Sequence, residues 1–290
     1  MKAIVYSNYG SPDVLKCEEI EKPVARDDEV LIKVRAAAVN PVDLLFRGTS
    51  YMVRIMTGLR KPKETRIGYD VAGQVEAVGR NVTQFKPGDA VFGTCKGAFA
   101  EYVCASESAL VVKPDNVTFE QAASVPIAAL TALQGLRLGG LGLGGLGDKG
   151  QIQAKQKVLI NGASGGVGTF AVQIAKSFGA DVTGVCSTRN VDLVRSIGAD
   201  HVIDHTQQDF TESGERYDVI FDCYVNHSLS ACRRVLNPKG TYVMVGGPAK
   251  RWTIGILAPV VKALMLSPVR EPEVRGVHCE IEQRGPDHNK

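Results

Sequence analysis

The sequence predicts an α/β chain built as a mostly-β first part followed by a doubly wound parallel sheet, and three observations carry that expectation. Short apolar runs separated by turn residues fill roughly the first 115 of its 290 residues. A buried-strand pattern at Val158, Leu159 and Ile160 then breaks into glycines at Gly162, Gly165, Gly166 and Gly168, and an amphipathic helix follows at once. From there strand and helix patterns alternate as far as residue 245. The expected division is a β-rich domain over residues 1–125, a nucleotide-binding sheet over 126–250 and a C-terminal segment over 251–290.

Composition narrows the class. A hydrophobic content of 44% with 22% charged residues describes a globular chain. The net charge of +3 is spread along it, and no basic block suggests a nucleic-acid partner. Seven cysteines without CxxC spacing read as reduced thiols, and MKAIVYSNYG lacks the apolar core of a signal peptide, so the expected location is cytoplasmic. The longest apolar run, residues 254–266, carries Pro259 and Lys262 and is too short to span a bilayer.

In the first part, strands are expected at residues 2–6, 14–20, 29–39, 71–78, 90–92, 99–104 and 110–112. Asn40 precedes Pro41, which suits a turn or a helix cap. Thr118-Phe-Glu-Gln121 is a capping box opening a helix that Pro126 interrupts, and a second helix is expected over 127–136. Two copies of L-G-G-L-G then run over residues 138–147, where six glycines disfavour a helix and predict a surface excursion.

The glycine segment is the chemical centre. A helix N-terminus presents free N–H groups and partial positive charge, which attract a diphosphate. Gly165 and Gly166 let the main chain approach it, Val167 starts the helix face, and Gly168 permits close packing. Ala163 and Ser164 stand where a dinucleotide fingerprint has its first glycine region, a departure from the general pattern. Gly179 ends the helix. Further strands are expected at 182–186, 202–204, 218–222 and 241–245, helices at 190–197 and 229–236, and a type I turn at Asn237-Pro238-Lys239-Gly240.

The tip of the second strand selects the cofactor. NAD-selective folds place an acid there, whereas this chain reads Ser187, Thr188, Arg189, with the next carboxylate at Asp192 inside the following helix. Those three can hold a 2′-phosphate, so NADPH is expected over NADH, the alternative being that Arg189 is an ordinary solvated charge. Gly246 and Gly247 offer close backbone approach to the nicotinamide end, and Asn226 sits in the loop after the preceding strand beside a bulky Tyr224.

Residues 156–176, QKVLINGASGGVGTFAVQIAK, resemble the signature of the quinone oxidoreductase (zeta-crystallin) branch of the medium-chain dehydrogenase/reductases. That branch accepts small residues at Ala163 and Ser164, while Lys155 departs from its usual small or turn-forming residue. The resemblance runs from Met1 to about Pro268. It implies a chaperonin-10-like first domain carrying the substrate site and a Rossmann domain carrying the cofactor. Zinc-dependent members have a cysteine and a G-H-E where this chain has Asn40-Pro41-Val42-Asp43 and Gly68-Tyr69-Asp70, and residues 93–99 hold only Cys95 in place of a structural zinc lobe. No zinc is therefore expected.

By the same resemblance Asn40 lies beside the nicotinamide and substrate, where its amide polarises a carbonyl. Tyr51 is a proton donor or substrate contact, or else a surface tyrosine. Thr131 lies against the nicotinamide, or else is a buried helix hydroxyl. The family passes directly from Leu136-Arg137 to Asp148-Lys149-Gly150, which makes 138–147 an insertion. After Pro268 the chain departs from its relatives: the tail is polar, is expected to be disordered, and reads as a truncated C-terminal end. A missing strand would leave the sheet edge that the family uses for its homodimer exposed, with residues 254–266 seeking a membrane surface or another chain. The function implied is an NADPH-dependent, zinc-independent reductase of quinones or α,β-unsaturated carbonyls. The alternative is a non-catalytic NADPH-binding or interaction protein.

Overall fold

The computed structural model describes residues 1–46, 54, 58–137, 152–245 and 273–276. These divide into two units, Met1–Ile127 and Ala128–Glu280. Tyr51, Gly246, Gly247, the 138–147 repeat and the 254–266 run lie outside the described residues.

In the first unit, β1 (Lys2–Val5) pairs antiparallel with β2 (Lys16–Glu19). A five-stranded antiparallel sheet runs in the order β6 (Tyr102–Ser106), β3 (Glu29–Ala38), β4 (Asp70–Val78), β5 (Ala90–Thr94), β7 (Leu110–Val112). Its core is β-branched: Val30, Ile32, Val71, Val75, Val91 and Val103 are all buried, as a pleated surface packed on one side requires. Three expected strands shift. Residues 12–14 form a 3-10 turn, so the second strand begins at Lys16. The strand expected at 99–104 begins at Tyr102, because the Phe99 carbonyl accepts from Ile4 N–H at 2.8 Å and Ala100 bridges Ala3. The fifth strand runs on from Phe92 to Thr94. Short α1 (Pro41–Phe46) follows β3, and the capping box forms as expected at the start of α2 (Phe119–Ala123): Thr118 Oγ1 accepts from Gln121 N–H and Gln121 Oε1 from Thr118 N–H. Pro126 opens α3 (Pro126–Arg137) as its first residue, where a missing N–H costs nothing.

The second unit is a six-stranded parallel sheet: β10 (His201–Asp204), β9 (Asp181–Cys186), β8 (Lys157–Asn161), β11 (Tyr217–Asp222), β12 (Leu236–Met244), β13 (Glu273–Gly276). Successive residues of β8 serve opposite faces. Val158 and Ile160 pack with Ala171, Val172 and Ala175 of α4 (Gly166–Ser177), and Leu159 packs with Ile220, Phe210, Leu236 and Tyr242. Both faces are covered, which is why β8 reads as a continuous apolar run. Two helices end alike. Gly179 (φ +77°) follows α4 and Gly198 (φ +107°) follows α5 (Val191–Ser196), each with the paired backbone bonds of a Schellman motif. Lys155 sits at φ +68°, a left-handed backbone conformation that glycine adopts more readily than a long side chain does.

Two expectations are corrected. The 237–240 turn lies inside β12, where the ladder to β11 steps from Tyr217↔Leu236 to Val219↔Thr241 and Lys239 takes φ +70° as a bulge. The tail is not wholly irregular: β13 pairs parallel with β12 over Thr241↔Glu273 to Met244↔Gly276, so β12 is not the sheet edge. Four residues are too few to show an alternation in the sequence, and the pairing uses backbone groups that β12 presents on that side.

Candidate functional site

The glycine turn joins the C-terminal end of β8 to α4. Gly162 takes φ +87°, and the N–H groups of Gly162 and Ala163 both bond the Val185 carbonyl on β9 (3.1 and 2.9 Å). Gly165 is the N-cap of α4 and offers no side chain to the first turn, leaving the N–H groups of Gly166, Val167 and Gly168 for a ligand or water. A Cβ on Gly168 would lie 2.1 Å from the Gly162 carbonyl oxygen, whereas one on Gly166 would meet nothing within 4 Å. Gly168 therefore serves packing and Gly166 borders open space, the cradle that a diphosphate fits. Ala163 is fully buried, and its methyl faces Gly184 of β9, whose own Cβ would sit 3.1 Å from it. A glycine on the neighbouring strand thus accommodates the departure from the fingerprint.

At the tip of β9, Asn190 Nδ2 donates to Ser164 Oγ (3.0 Å) and Ser187 Oγ (3.2 Å), tying the tip to the glycine turn. Arg189 is exposed and makes no ion pair among the described residues. Thr188 is engaged elsewhere: its hydroxyl donates to Asp204 Oδ2 at 2.6 Å. Asp204, at the end of β10, also accepts from Thr206 N, Thr206 Oγ1 and Gln207 Nε2, and these hydrogen bonds, led by Thr188, hold its carboxyl below the ordinary range. An acid does reach this tip, from a strand that follows in sequence and lies beside β9 in the sheet.

The ends of β8, β11 and β12 are joined by a network the sequence reading missed. Asp222 is fully buried and accepts from Asn161 Nδ2 (2.8 Å), Tyr224 N (3.0 Å), Val225 N (2.7 Å) and Tyr242 Oη (2.7 Å). Asn161 Nδ2 also donates to Asn226 Oδ1 (3.0 Å), which fixes the predicted Asn226 beside the glycine turn. Val225 is held at φ +53°, a strained conformation for a β-branched residue, and Tyr224 is left 62% exposed. A polar residue closing each of two adjacent buried strands, Asn161 and Asp222, was the available signal. Thr131 is buried within α3.

In the first unit Asn40 is buried at the end of β3. Its Nδ2 donates to Asp70 Oδ2 at 3.0 Å and lies 3.5 Å from the Ala38 carbonyl; its backbone N–H donates to Asp43 Oδ2 at 2.6 Å. Asp70 also accepts from Ile127 N–H at 3.1 Å. Asn40 thus caps α1 through its backbone, with Asp43 reaching back to it, while its amide faces a second carboxylate. Burial pushes Asp43 up to about 6 and Asp70 up to about 7, only partly offset by these hydrogen bonds, and Asp43 further raises Asp70. Among the described residues, Asp43 Oδ1 is buried without a hydrogen-bond partner. The folded chain therefore binds these two protons more tightly than the unfolded chain. Their contribution to stability is full below about pH 4 and is lost as pH rises through about 6 and 7. Denaturant midpoints taken from pH 5 to 8 should fall across that window, and a midpoint that rises instead would refute the assignment.

Among the described residues no cluster of three or more His, Cys, Asp or Glu could hold a metal ion, and no helix is long and apolar enough to cross a membrane.

An antiparallel β unit followed by a doubly wound sheet, with a diphosphate cradle at its first strand–helix turn, is the plan of a dinucleotide-dependent dehydrogenase or reductase. Comparison with known families agrees: residues 26–115 match the alcohol dehydrogenase GroES-like domain, and residues 166–279 match the domain described as zinc-binding dehydrogenase. The chain is 40% identical to the chloroplastic NADPH-dependent alkenal/one oxidoreductase of Arabidopsis thaliana, over 77% of this chain and 57% of that protein. It is 34% identical to the quinone oxidoreductase of Homo sapiens, over 85% of this chain and 73% of the other. The solved quinone oxidoreductase of Coxiella burnetii superposes with a TM-score of 0.79 at 30% identity, over 98% of this chain and 84% of that one. The chain belongs to the quinone oxidoreductase branch of the medium-chain dehydrogenase/reductases. It spans little more than half the length of the Arabidopsis relative.

Proposed function

We propose that this chain is an NADPH-dependent, zinc-independent oxidoreductase acting on quinones or α,β-unsaturated carbonyls. The observation that carries the reading is the cradle at α4: an uncapped helix N-terminus beside Gly166, whose missing side chain leaves room for a diphosphate. When bound, the reduced nicotinamide supplies the hydride, and the protein's own part is to bind, orient and stabilise charge. The N–H groups of Gly166, Val167 and Gly168 hold the diphosphate, with Ala163, Ser164 and Gly165 shaping the turn. Ser187 and Arg189 hold the 2′-phosphate, with Thr188 committed to Asp204. Asn226 and Thr131 are assigned to the cofactor further along and Asn40 to the acceptor; Gly246, Gly247 and Tyr51, which the sequence assigns beside them, lie outside the described residues. The positions equivalent to the zinc-binding residues of related dehydrogenases carry Asn40 and Tyr69, which supports chemistry without zinc.

NADPH oxidation against 9,10-phenanthrenequinone and an alkenal tests the activity. Stoichiometric NADPH binding without turnover of either acceptor would favour the non-catalytic alternative. Cofactor choice has its own test. Arg189→Ala should weaken NADPH binding at least tenfold, about 1.4 kcal/mol, and leave NADH binding unchanged. Equal NADPH dissociation constants for variant and wild type would remove Arg189 from the site. The relatives named for quinones and alkenals support this substrate class.

A further inference from the structure

The Asn40 amide is bonded to a buried carboxylate that has no cationic partner among the described residues. Asp70 is fully buried, and its two oxygens take Asn40 Nδ2 and Ile127 N–H. Among the described residues neither Asp70 nor Asp43 forms an ion pair. An ionised carboxylate only accepts hydrogen bonds, so it holds the Asn40 NH2 group toward itself. The second amide hydrogen is left with the Ala38 carbonyl at 3.5 Å, a weak contact. What Asn40 then has free is Oδ1, an acceptor, and an acceptor cannot stabilise an oxyanion. A neutral Asp70 reverses this, because its O–H can donate to Asn40 Oδ1 once the amide turns over, releasing the NH2 group.

We propose that Asp70 is a positioning residue for Asn40, its protonation state selecting whether the amide offers an acceptor or a donor away from Asp70. This rests on the reading above, in which Asn40 faces the acceptor oxygen. No atom is lost in the exchange: a proton taken up by Asp70 from solvent is matched by a half-turn of the amide about its Cβ–Cγ bond. The groups around Asp70 leave the switch to the two acids. Asp43, on α1, raises it; the Ile127 N–H, at the start of α3, favours the charged form. Tyr69 and Cys95 are both pushed up by burial and stay neutral. Arg66, which acts on Cys95 from the loop before β4, is paired with Glu64. Burial places the Asp70 transition at about 7, within the working range of an enzyme.

The direct test needs neither cofactor nor acceptor. The side-chain NH2 resonances of Asn40 in 15N-labelled protein, followed from pH 5 to 9, should titrate with a midpoint near that of the Asp70 carboxyl 13C signal. Asp70→Asn, which keeps the shape and cannot ionise, should flatten the Asn40 curve. In turnover, kcat with an alkenal should fall about tenfold per pH unit above the midpoint in the wild type and be level in Asp70→Asn. An Asn40 signal that stays flat in the wild type overturns the proposal, and so does one that still titrates in Asp70→Asn. Should that variant fail to fold, coincidence of the two wild-type curves decides the matter. A chain that reduces no quinone or enone while Asn40 titrates with Asp70 would refute the functional reading and leave the switch standing.

Discussion

Gly168→Ala is expected to disrupt the glycine turn and lower both stability and dinucleotide affinity, whereas Gly166→Ala should lower affinity alone. A methyl at residue 168 lies 2.1 Å from the Gly162 carbonyl oxygen and 2.9 Å from Ala163 Cα, all backbone atoms that cannot move aside without displacing the turn from β9. Overpacking typically costs about 1–3 kcal/mol, and a clash with backbone this short falls at the upper end. The NADPH dissociation constant should rise roughly a hundredfold, because the helix N–H groups lose their alignment. At residue 166 the added methyl meets nothing within 4 Å beyond its own helix turn and chain neighbours. Stability there should hold or improve slightly, since alanine favours a helix over glycine. Affinity should still fall about tenfold, the methyl occupying the place assigned to the diphosphate. Calorimetric titration beside thermal unfolding separates the two. A Gly166→Ala protein that binds NADPH like the wild type would put the diphosphate elsewhere.

Asp222→Ala should be the most damaging change outside the glycine turn. It strands four donors: Asn161 Nδ2, the N–H groups of Tyr224 and Val225, and the Tyr242 hydroxyl. Removing the buried acceptor while its donors stay costs about 3–5 kcal/mol. Val225 adds a second effect, because its left-handed backbone at φ +53° is held by that same carboxylate. Once released, the 223–226 loop should relax and Asn226 lose its place, lowering NADPH affinity as well. Asp222→Asn should cost less than half as much. Its Oδ1 can still take the three N–H donors, and the Tyr242 hydroxyl can turn to accept from the new amide. Urea unfolding of the two variants checks the order, and equal losses would mean that charge, not hydrogen-bond acceptance, is what the network needs.

How much of this was legible follows from how far apart in sequence the interacting groups lie. Strand β8, its glycine turn and α4 could be read because a period of two, a cluster of glycines and a period of 3.6 are all written within about twenty residues. The Thr118–Gln121 box was legible for the same reason. Asp204 was not, because only the parallel pairing of β9 with β10 brings it to Thr188. The contact of Asn40 with Asp70 spans 30 residues, and that of Asn161 with Asp222 spans 61. Residue type gave no sign that Asn40 would have its amide turned to an acid.

The sequence by itself determined the two-part plan, the strand order of chemistry along the chain, the glycine cradle and the family to which it belongs. Only the tertiary structure decided that Ala163 can replace a glycine because Gly184 faces it, that β13 covers the edge of β12, and that Asp43 and Asp70 both hold Asn40. The division has one physical cause. Backbone preferences and hydrophobic periods act between neighbours along the chain, whereas hydrogen-bond partners and steric allowances are set by whichever strand the sheet places alongside.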